Sequence, residues 1–306
     1  MPPTRTIHLQ GVTDVGCSRS GNEDCFIIQR LGDPPSELNT NPISDGDCGN
    51  GILAAVSDGM GGAAAGEVAS STGLLILRDH ILANAELLQE GDPSMVVTIL
   101  ESGVQLANKT IYDSAQADPN LSGMGATVTA AYLQHDVAYM FQIGDSRAYA
   151  LRGISFEKIT RDQSFVGQLL EMGTITEAQA AKHPQRNLIL QALGAPDELK
   201  VDVTYLPVCK GDFLLLCSDG LYSELTPDVL QGQVKTLLEH KDELILVLTS
   251  LVDSANKAGG RDNITVLGLR CLDGYPKREP GEDPRYRQFP YIDKDNPMRD
   301  MSKLLR

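Results

Sequence analysis

Two copies of one short motif place an aspartate directly after an apolar run. The sequence SDG at 57–59 follows ILAAV, and SDG at 218–220 follows FLLLC. Short continuous apolar runs are typical of buried strands, and a glycine lets the backbone turn sharply or approach a ligand closely. The motif therefore predicts that Asp58 and Asp219 stand at the ends of two buried strands, where the two carboxylates could meet.

Four further carboxylates stand at the edges of other predicted strands. Asp145 lies in GDSR between two strands, Asp262 lies in RDN at the start of the last strand, and Glu23 and Asp24 come just before the second strand. Carboxylates that converge repel one another unless cations neutralise them. Oxygen ligands without histidine or cysteine favour Mg²⁺ or Mn²⁺ over zinc or copper. The pattern therefore predicts a site for hard divalent cations.

Such a site suggests a reaction. Two of these cations about 3.5–4 Å apart can lower the pKa of a bridging water and hold a phosphate oxygen, which is the arrangement for hydrolysis of a phosphoester. Arg19 lies four residues before Glu23, and its planar guanidinium suits a phosphate. Each residue taken alone has an ordinary explanation, because an Asp-Gly pair is usually a turn and a loop arginine is usually solvated.

Composition excludes several classes of protein. The 306 residues carry 26 basic and 41 acidic side chains, a formal charge of −15, which disfavours binding to nucleic acid. The longest nearly apolar run, at 244–252, is far shorter than the roughly 20 residues of a membrane span. The N-terminus lacks the apolar stretch of a signal peptide. We therefore expect a cytoplasmic protein without nucleic-acid or membrane partners, and its oligomeric state stays open.

The chain alternates clustered strands with paired helices, which predicts an α+β fold with helices on the outer faces of antiparallel sheets. Two consecutive helices are expected from Ala63 onward, a broken helical segment at 163–191, and a helix whose apolar stripe begins at Leu244. Three closely spaced strands, at 126–133, 137–143 and 148–151, suggest one antiparallel meander. The remaining predicted strands are 6–12, 25–29, 52–56, 200–206, 213–217 and 263–270.

Residues 273–306 differ from the rest of the chain. They hold five of the 16 prolines, which prevent long helices and central strands. They also hold several aromatic residues, which indicates docking onto a surface rather than disorder. We therefore expect a domain at 1–272 followed by a C-terminal extension at 273–306.

Seven stretches that include these residues follow one another in the order RSGNED, SDGMGG, GATVTA, IGDSRAY, ITRDQS, LCSDGL and RDNITV. Together they resemble the metal-dependent serine/threonine phosphatases of the PPM (type 2C) family in their compact bacterial form. The resemblance spans about residues 5 to 271. It implies a four-layer α-β-β-α sandwich of two antiparallel sheets, with a dinuclear Mn²⁺ or Mg²⁺ site at one end. It also implies hydrolysis of phosphoserine and phosphothreonine by activated water, without a covalent intermediate.

The same resemblance implies a role for each residue of the site. Asp58 would bridge both metals, Gly59 would contribute its backbone carbonyl, and Asp219 and Asp262 would complete the second metal. Glu23 and Asp24 would support the metals directly or through bound water, and Arg19 would bind the phosphate. Asp145, together with Asp219, would hold a weaker third ion.

The family pattern also implies a flap beside the active site, at 164–193, and a partnership with a serine/threonine kinase and its targets. One position departs from the animal-type pattern, where a histidine proposed as general acid follows the Asp-Gly pair. Here that residue is Met60, so a metal-bound water is the first candidate for the proton donor and His183 the second.

Two other hypotheses compete with an active phosphatase. Gly59-x-Gly61-x-x-Ala64 follows a strand and resembles a dinucleotide-binding turn, although Asp58 would confront the pyrophosphate. A PPM-fold protein without activity could instead be a scaffold or sensor. Such a protein would be expected to have lost at least one metal ligand, and this chain retains all of them.

Overall fold

The computed structural model describes residues 5–41, 45–47, 50–61, 63–239, 243–277 and 287–289. The strands, in chain order, are β1 Thr6–Asp14, β2 Cys25–Arg30, β3 Asp45–Asp47, β4 Ile52–Ser57, β5 Gly59–Met60, β6 Gly125–Ala126, β7 Val128–Gln134, β8 Val137–Ile143, β9 Arg147–Arg152, β10 Ser155–Lys158, β11 Asp202–Pro207, β12 Phe213–Cys217, β13 Ile264–Cys271 and β14 Arg287–Phe289. The helices are α1 Ala63–Ala83, α2 Ala85–Gln89, α3 Pro93–Ala117, α4 Phe165–Glu171, α5 Glu177–Ala180, α6 Asp219–Tyr222, α7 Pro227–Glu239 and α8 Leu244–Ala258.

Twelve of these strands form two six-stranded sheets. The first sheet has the order β10-β9-β12-β13-β1-β3, and the second has the order β14-β11-β8-β7-β4-β2. Neighbouring strands are antiparallel throughout the two described sheets. Strands β5 and β6 form a separate short pair. The predicted α+β class with two antiparallel sheets is confirmed.

Three hydrophobic clusters hold four layers together. One cluster fills the space between the sheets, a second lies between the second sheet and α1 and α3, and a third lies between the first sheet and α7 and α8. In β4, for example, Ile52 and Val56 face the other sheet, while Leu53 faces the helices. Both faces of the central strands are therefore buried, which explains their continuous apolar runs.

The helical periods seen in the sequence match the packing. All six residues of the predicted stripe in α8 are buried, namely Leu244, Val247, Leu248, Leu251, Val252 and Ala255. Helix α3 begins at Pro93 because the Asp92 side chain caps it, accepting from the backbone N–H of Ser94 at 2.8 Å. Among the described residues, no helix is long and apolar enough to cross a membrane.

The predicted three-stranded meander is wrong. Strands β7 and β8 pair in the second sheet, whereas β9 crosses to the first sheet and pairs with β12 and β10. The crossing occurs at Gly144, whose φ is +97° and where a Cβ would lie 2.6 Å from Thr127 Cγ2. The short connections between the three strands suggested that all of them belong to one sheet. Because the two sheets pack face to face, a short turn can also connect a strand of one sheet to a strand of the other.

Other elements also differ from the sequence-based expectation. Helix α7 and strand β3 were not predicted, and residues 42–44 and 48–49 on either side of β3 lie outside the described residues. The dinucleotide-binding hypothesis is wrong. Gly59 belongs to the short strand β5 that pairs with β6, and the described sheets contain no parallel pair that a dinucleotide fold would need.

The described part of the C-terminal extension packs against the sandwich. Tyr275 is 5% exposed and belongs to the cluster between the sheets. The backbone N–H of Lys210 donates to the carbonyl of Pro276 at 2.8 Å. Strand β14 adds an edge strand beside β11. Residues 278–286 and 290–306 lie outside the described residues, and the domain boundary at 272 stays a prediction.

Burial of Tyr275 makes that boundary testable. A chain ending at Asp273 should fold, but with a free energy of unfolding lower by about 2–4 kcal/mol, because an aromatic side chain is lost from the core. The melting temperature should fall by roughly 4–10 °C. A chain ending at Lys277 is the matched control, because it also lacks β14 but keeps Tyr275, and it should melt above the chain ending at Asp273. Equal melting temperatures for the two truncated chains would contradict the structural role of Tyr275.

Candidate active site

A cavity of about 370 Å³ opens at one end of the sandwich. Its lining includes every predicted site residue except Asp24: Arg19, Glu23, Asp58, Gly59, Asp145, Asp219 and Asp262, together with Ser20, Gly21, Met60, Gly61, Asn187, Ile189 and Asn263. The fold thus brings together residues that are as much as 243 positions apart in the chain.

Asp58 is fixed through its backbone. Its N–H donates to Thr127 Oγ1 at 3.0 Å, and its carbonyl accepts from the N–H of Thr127 at 2.8 Å. Ser57 Oγ donates to the Thr127 carbonyl at 2.6 Å. Gly59 follows in close packing, because a Cβ there would lie 2.2 Å from the Gly66 carbonyl oxygen. The Asp-Gly pair is therefore held between β6 and α1, with its carboxylate in the cavity.

The second SDG motif is connected to Asp24. Ser218 Oγ donates to Asp24 Oδ2 at 2.6 Å and accepts from the N–H of Thr265 at 2.9 Å. Asp24 is 4% exposed and does not line the cavity, whereas Asp219 does. Asp24 thus lies behind the lining carboxylates.

The two carboxylate oxygens of Asp262 accept hydrogen bonds from different partners. Its Oδ1 accepts from the N–H of Asn263 at 2.9 Å, and its Oδ2 accepts from Arg19 Nη2 at 2.8 Å. The Arg19 side chain is 49% exposed. Asp262 therefore stands at the mouth of the cavity with one oxygen directed at the guanidinium.

Asn263 is a positioning residue that the sequence reasoning missed. Its Nδ2 donates to the carbonyls of Val15 and Gly21 at 3.0 and 2.9 Å, and its Oδ1 accepts from the N–H of Glu23 at 2.9 Å. These bonds fasten the loop that carries Arg19 and Glu23 to the start of β13. The RDN motif contains Asn263, but its partners 240 or more positions earlier leave no local signal.

Asp145 is 8% exposed and lies in the turn where the chain crosses between the sheets. Its backbone carbonyl accepts from Tyr222 Oη at 3.0 Å. Gly144 N–H donates to Gln163 Oε1 at 2.9 Å. Asp145 is therefore held against both α6 and the residue before the flap.

The electrostatics of the cavity disfavour a full set of ionised carboxylates. Burial, with the charges of Asp145 and Asp262, raises the pKa of Asp219 to about 8. Burial and the neighbouring aspartates raise the pKa of Asp58 well above its usual value. Burial likewise raises the pKa values of Asp24 and Asp145 to about 6. Positive charge placed in the cavity would relieve this cost.

The donor set therefore fits Mg²⁺ or Mn²⁺. Every ionisable ligand candidate that lines the cavity is a carboxylate, and Gly59 adds a backbone carbonyl. With the side chains in these positions, no three His, Cys, Asp or Glu residues in the described part of the chain lie close enough together to hold a metal ion. The residues thus line one cavity without forming a closed ligand cage.

The predicted flap, residues 164–193, borders the cavity. It contains α4 and α5, and its residues Asn187 and Ile189 belong to the cavity lining. Its broken helical character agrees with the sequence. Beside it lies a groove of about 960 Å³ that shares Asp145, Asn187, Asp219 and Asp262 with the cavity.

Replacement of Asn263 should loosen the loop at 15–23. Asn263→Ala removes three buried hydrogen bonds, so we expect a loss of about 2–4 kcal/mol in stability. Hydrogen exchange of residues 15–23 should become faster. Asn108→Ala is the matched control, because Asn108 is buried and makes similar bonds to the backbone at Gly194 and Ala195. Unchanged exchange in residues 15–23 of Asn263→Ala would contradict this role.

Comparison with known proteins agrees with the geometry. A model of the family described as protein phosphatase 2C matches residues 44–264. The serine/threonine phosphatase stp of Listeria welshimeri is 34% identical over 261 residues, which are 85% of this chain and 94% of that protein.

Solved structures show the same likeness. The S. agalactiae serine/threonine phosphatase has a TM-score of 0.71 and 28% identity, covering 86% of this chain and 99% of that chain. The catalytic domain of the phosphatase PstP, in complex with two manganese ions, has a TM-score of 0.68 and 29% identity, covering 88% of this chain and 100% of that chain. From the family match and the alignment along most of both chains, it follows that this chain belongs to the protein phosphatase 2C family.

Proposed function

We propose that this chain is a serine/threonine protein phosphatase that hydrolyses phosphomonoesters with two Mn²⁺ or Mg²⁺ ions held by its clustered carboxylates. The cavity is the observation that supports this function best. Five acidic side chains and one arginine converge there, and no histidine or cysteine is among its described lining residues. The relatives are serine/threonine phosphatases by name, and one of them binds two manganese ions.

The four aspartates that line the cavity, and Gly59, have proposed roles as metal ligands. Asp58 would bridge the two ions, with the Gly59 carbonyl as a further ligand, while Asp219 and Asp262 would complete the second ion. Asp145, together with Asp219, would hold a weaker third ion. Two bound divalent cations lower the pKa of water between them and neutralise charge on a phosphate oxygen.

Glu23 and Asp24 would support the ligands from two directions. A Cβ on Gly66 would lie 2.6 Å from Glu23 Oε2, so the absence of a side chain at Gly66 leaves space for the Glu23 carboxylate. Asp24 holds Ser218, the residue before Asp219, through the 2.6 Å hydrogen bond described above. Glu23 therefore lines the cavity itself, whereas Asp24 acts from behind it.

Arg19 would bind the phosphate. Its contact with Asp262 uses Nη2, and its half-exposed guanidinium has further N–H groups that suit phosphate oxygens. Met60 lines the cavity and has no proton to donate. His183 is absent from the described lining, and its Nδ1 accepts from the N–H of Gln185. These positions favour water over His183 as the proton donor.

The substrates we propose are phosphoserine and phosphothreonine proteins, with a serine/threonine kinase and its targets as partners by family analogy. A catalytically inactive scaffold is the alternative function. The cavity retains every candidate ligand except Asp24, which lies behind it, and this favours the active enzyme. Turnover with and without metal separates the two functions.

Metal removal tests the proposed function directly. Activity toward p-nitrophenyl phosphate should disappear after exhaustive treatment with EDTA and return with Mn²⁺ or Mg²⁺, because carboxylates alone supply the charged ligands. Asp58→Asn keeps the shape of the side chain and should lower kcat by at least roughly a hundredfold.

Asp79→Asn is the matched control for the Asp58 variant, because Asp79 is 60% exposed on α1 and lies outside the cavity lining. Its kcat should equal that of the unaltered chain. Undiminished turnover in the chelated protein, or in Asp58→Asn, would refute the metal-dependent mechanism. Absence of turnover under all metal conditions would favour the scaffold.

Arg19→Ala should change the kinetics in a different way. An arginine that binds phosphate without generating the nucleophile contributes mainly to substrate binding, so KM for a small phosphoester should rise more than kcat falls. Arg261→Ala is the control, since Arg261 is paired with Glu224 and lies outside the described lining of the catalytic cavity. A large fall in kcat with an unchanged KM would instead assign Arg19 to transition-state stabilisation.

A further inference from the structure

Arg147 follows the turn that carries Asp145, yet its side chain contacts the residues that precede the flap. Its Nε and Nη2 donate to the Asp162 carboxylate, with a shortest distance of 2.7 Å. Asp162 is 5% exposed and also accepts from Lys158 at 3.0 Å. Arg147 Cζ lies 3.6 Å from the centre of the Tyr222 ring. Arg147 is therefore clamped between an almost buried carboxylate and an aromatic face.

Tyr222 and Gln163, which lie next to this ion pair, also bond to the backbone of the Asp145 turn. Tyr222, which stacks on Arg147, donates its hydroxyl hydrogen to the Asp145 carbonyl at 3.0 Å. Next to Asp162, Gln163 forms two bonds with Gly144: its N–H donates to the Gly144 carbonyl at 2.9 Å, and its Oε1 accepts from the Gly144 N–H at 2.9 Å. The Asp145 turn is thus attached to both α6 and the start of the flap.

The two ends of the flap are also attached to each other. Phe165 N–H donates to the Leu188 carbonyl, and Leu190 N–H donates to the Gln163 carbonyl, both at 2.8 Å. Residues 163–165 and 188–190 are therefore paired, and together with the adjacent Asp162 we term them the flap base.

We propose that Arg147 is a positioning residue that fastens the flap base to the Asp145 turn, so that both hold one fixed relative position. The inference rests on the proposed function only in placing Asp145 within the catalytic site. An arginine suits this task because its planar group can make two hydrogen bonds to a carboxylate while stacking on a ring. The alternative is that Arg147–Asp162 is an ordinary buried ion pair that stabilises the whole fold.

A second ion pair on the same strand provides a matched control. Arg152 is five residues further along β9, about 17 Å away at roughly 3.4 Å per residue. It binds Asp212 through Nε and Nη2, and the two side chains are 3% and 5% exposed. Arg152→Met should therefore weaken the fold without acting on the flap.

The experiment measures cleavage of the flap by trypsin well below the melting temperature. Lys182 and Arg186 are exposed cleavage sites within the flap. Arg147→Met and Asp162→Asn should each raise the rate of cleavage there by about fivefold or more, because local opening needs less free energy once the base is released. The double variant should be no more sensitive than either single variant, since the pair acts as a unit.

The kinetic readout separates positioning from general stability. In Arg147→Met, kcat/KM for a phosphopeptide should fall further than kcat/KM for p-nitrophenyl phosphate, while Arg152→Met should leave the ratio of the two unchanged. Because trypsin cleavage does not require turnover, it still decides the proposal if the chain has no phosphatase activity.

Two outcomes would overturn the proposal. One is faster flap cleavage in Arg152→Met to the same extent as in Arg147→Met. The other is an additive effect of the two substitutions in the double variant. If Arg147→Met fails to fold, Gln163→Ala removes the side-chain bond to Gly144, and unchanged flap cleavage in that variant would contradict the attachment.

Discussion

Repulsion among buried carboxylates is the constraint on which the rest of this structure depends. Asp58 follows a strand of one sheet and Asp219 follows a strand of the other, and burial beside further aspartates raises the pKa of each. The groups that bond their backbones are neutral: Thr127 bonds the N–H and the carbonyl of Asp58, and the Thr265 carbonyl accepts from the N–H of Ser218, next to Asp219. Hydrogen bonds from neutral groups fix the positions of the aspartates but do not cancel their negative charge. That charge would attract divalent cations and Arg19.

The aspartates follow strands of both sheets, and these strands end at the same side of the sandwich, so the charges lie together there. Strands β7 and β8 lie in the second sheet, and the chain then crosses at Gly144 into β9 of the first sheet. Asp145 lies in this crossing, where Tyr222 bonds its carbonyl and Gln163 bonds the N–H of Gly144. A continuous meander would have kept Asp145 in a hairpin of a single sheet. The topology that the sequence did not reveal is therefore the feature that places Asp145 beside Asp219.

Local sequence patterns predicted the strands and helices whose burial depends on their own apolar residues. The apolar runs before Asp58 and Asp219 marked strands buried on both faces, and the stripe in α8 matched its packing residue for residue. The supporting contacts lacked a local pattern, because they join distant parts of the chain. Ser218 reaches Asp24 over 194 positions, and Asn263 reaches Gly21 over 242. Tyr275 was likewise expected to dock, but its burial between the sheets depends on the finished fold.

The flap combines a fixed base with a weakly packed interior. Helix α4 buries only Gly167 and α5 buries only Ala180, so hydrophobic packing contributes little to holding this segment. The apolar side chain of Met172 is instead 67% exposed. Order in such a segment must come from its ends. The hydrogen bonds and the ion pair at the flap base supply that order next to Asp145.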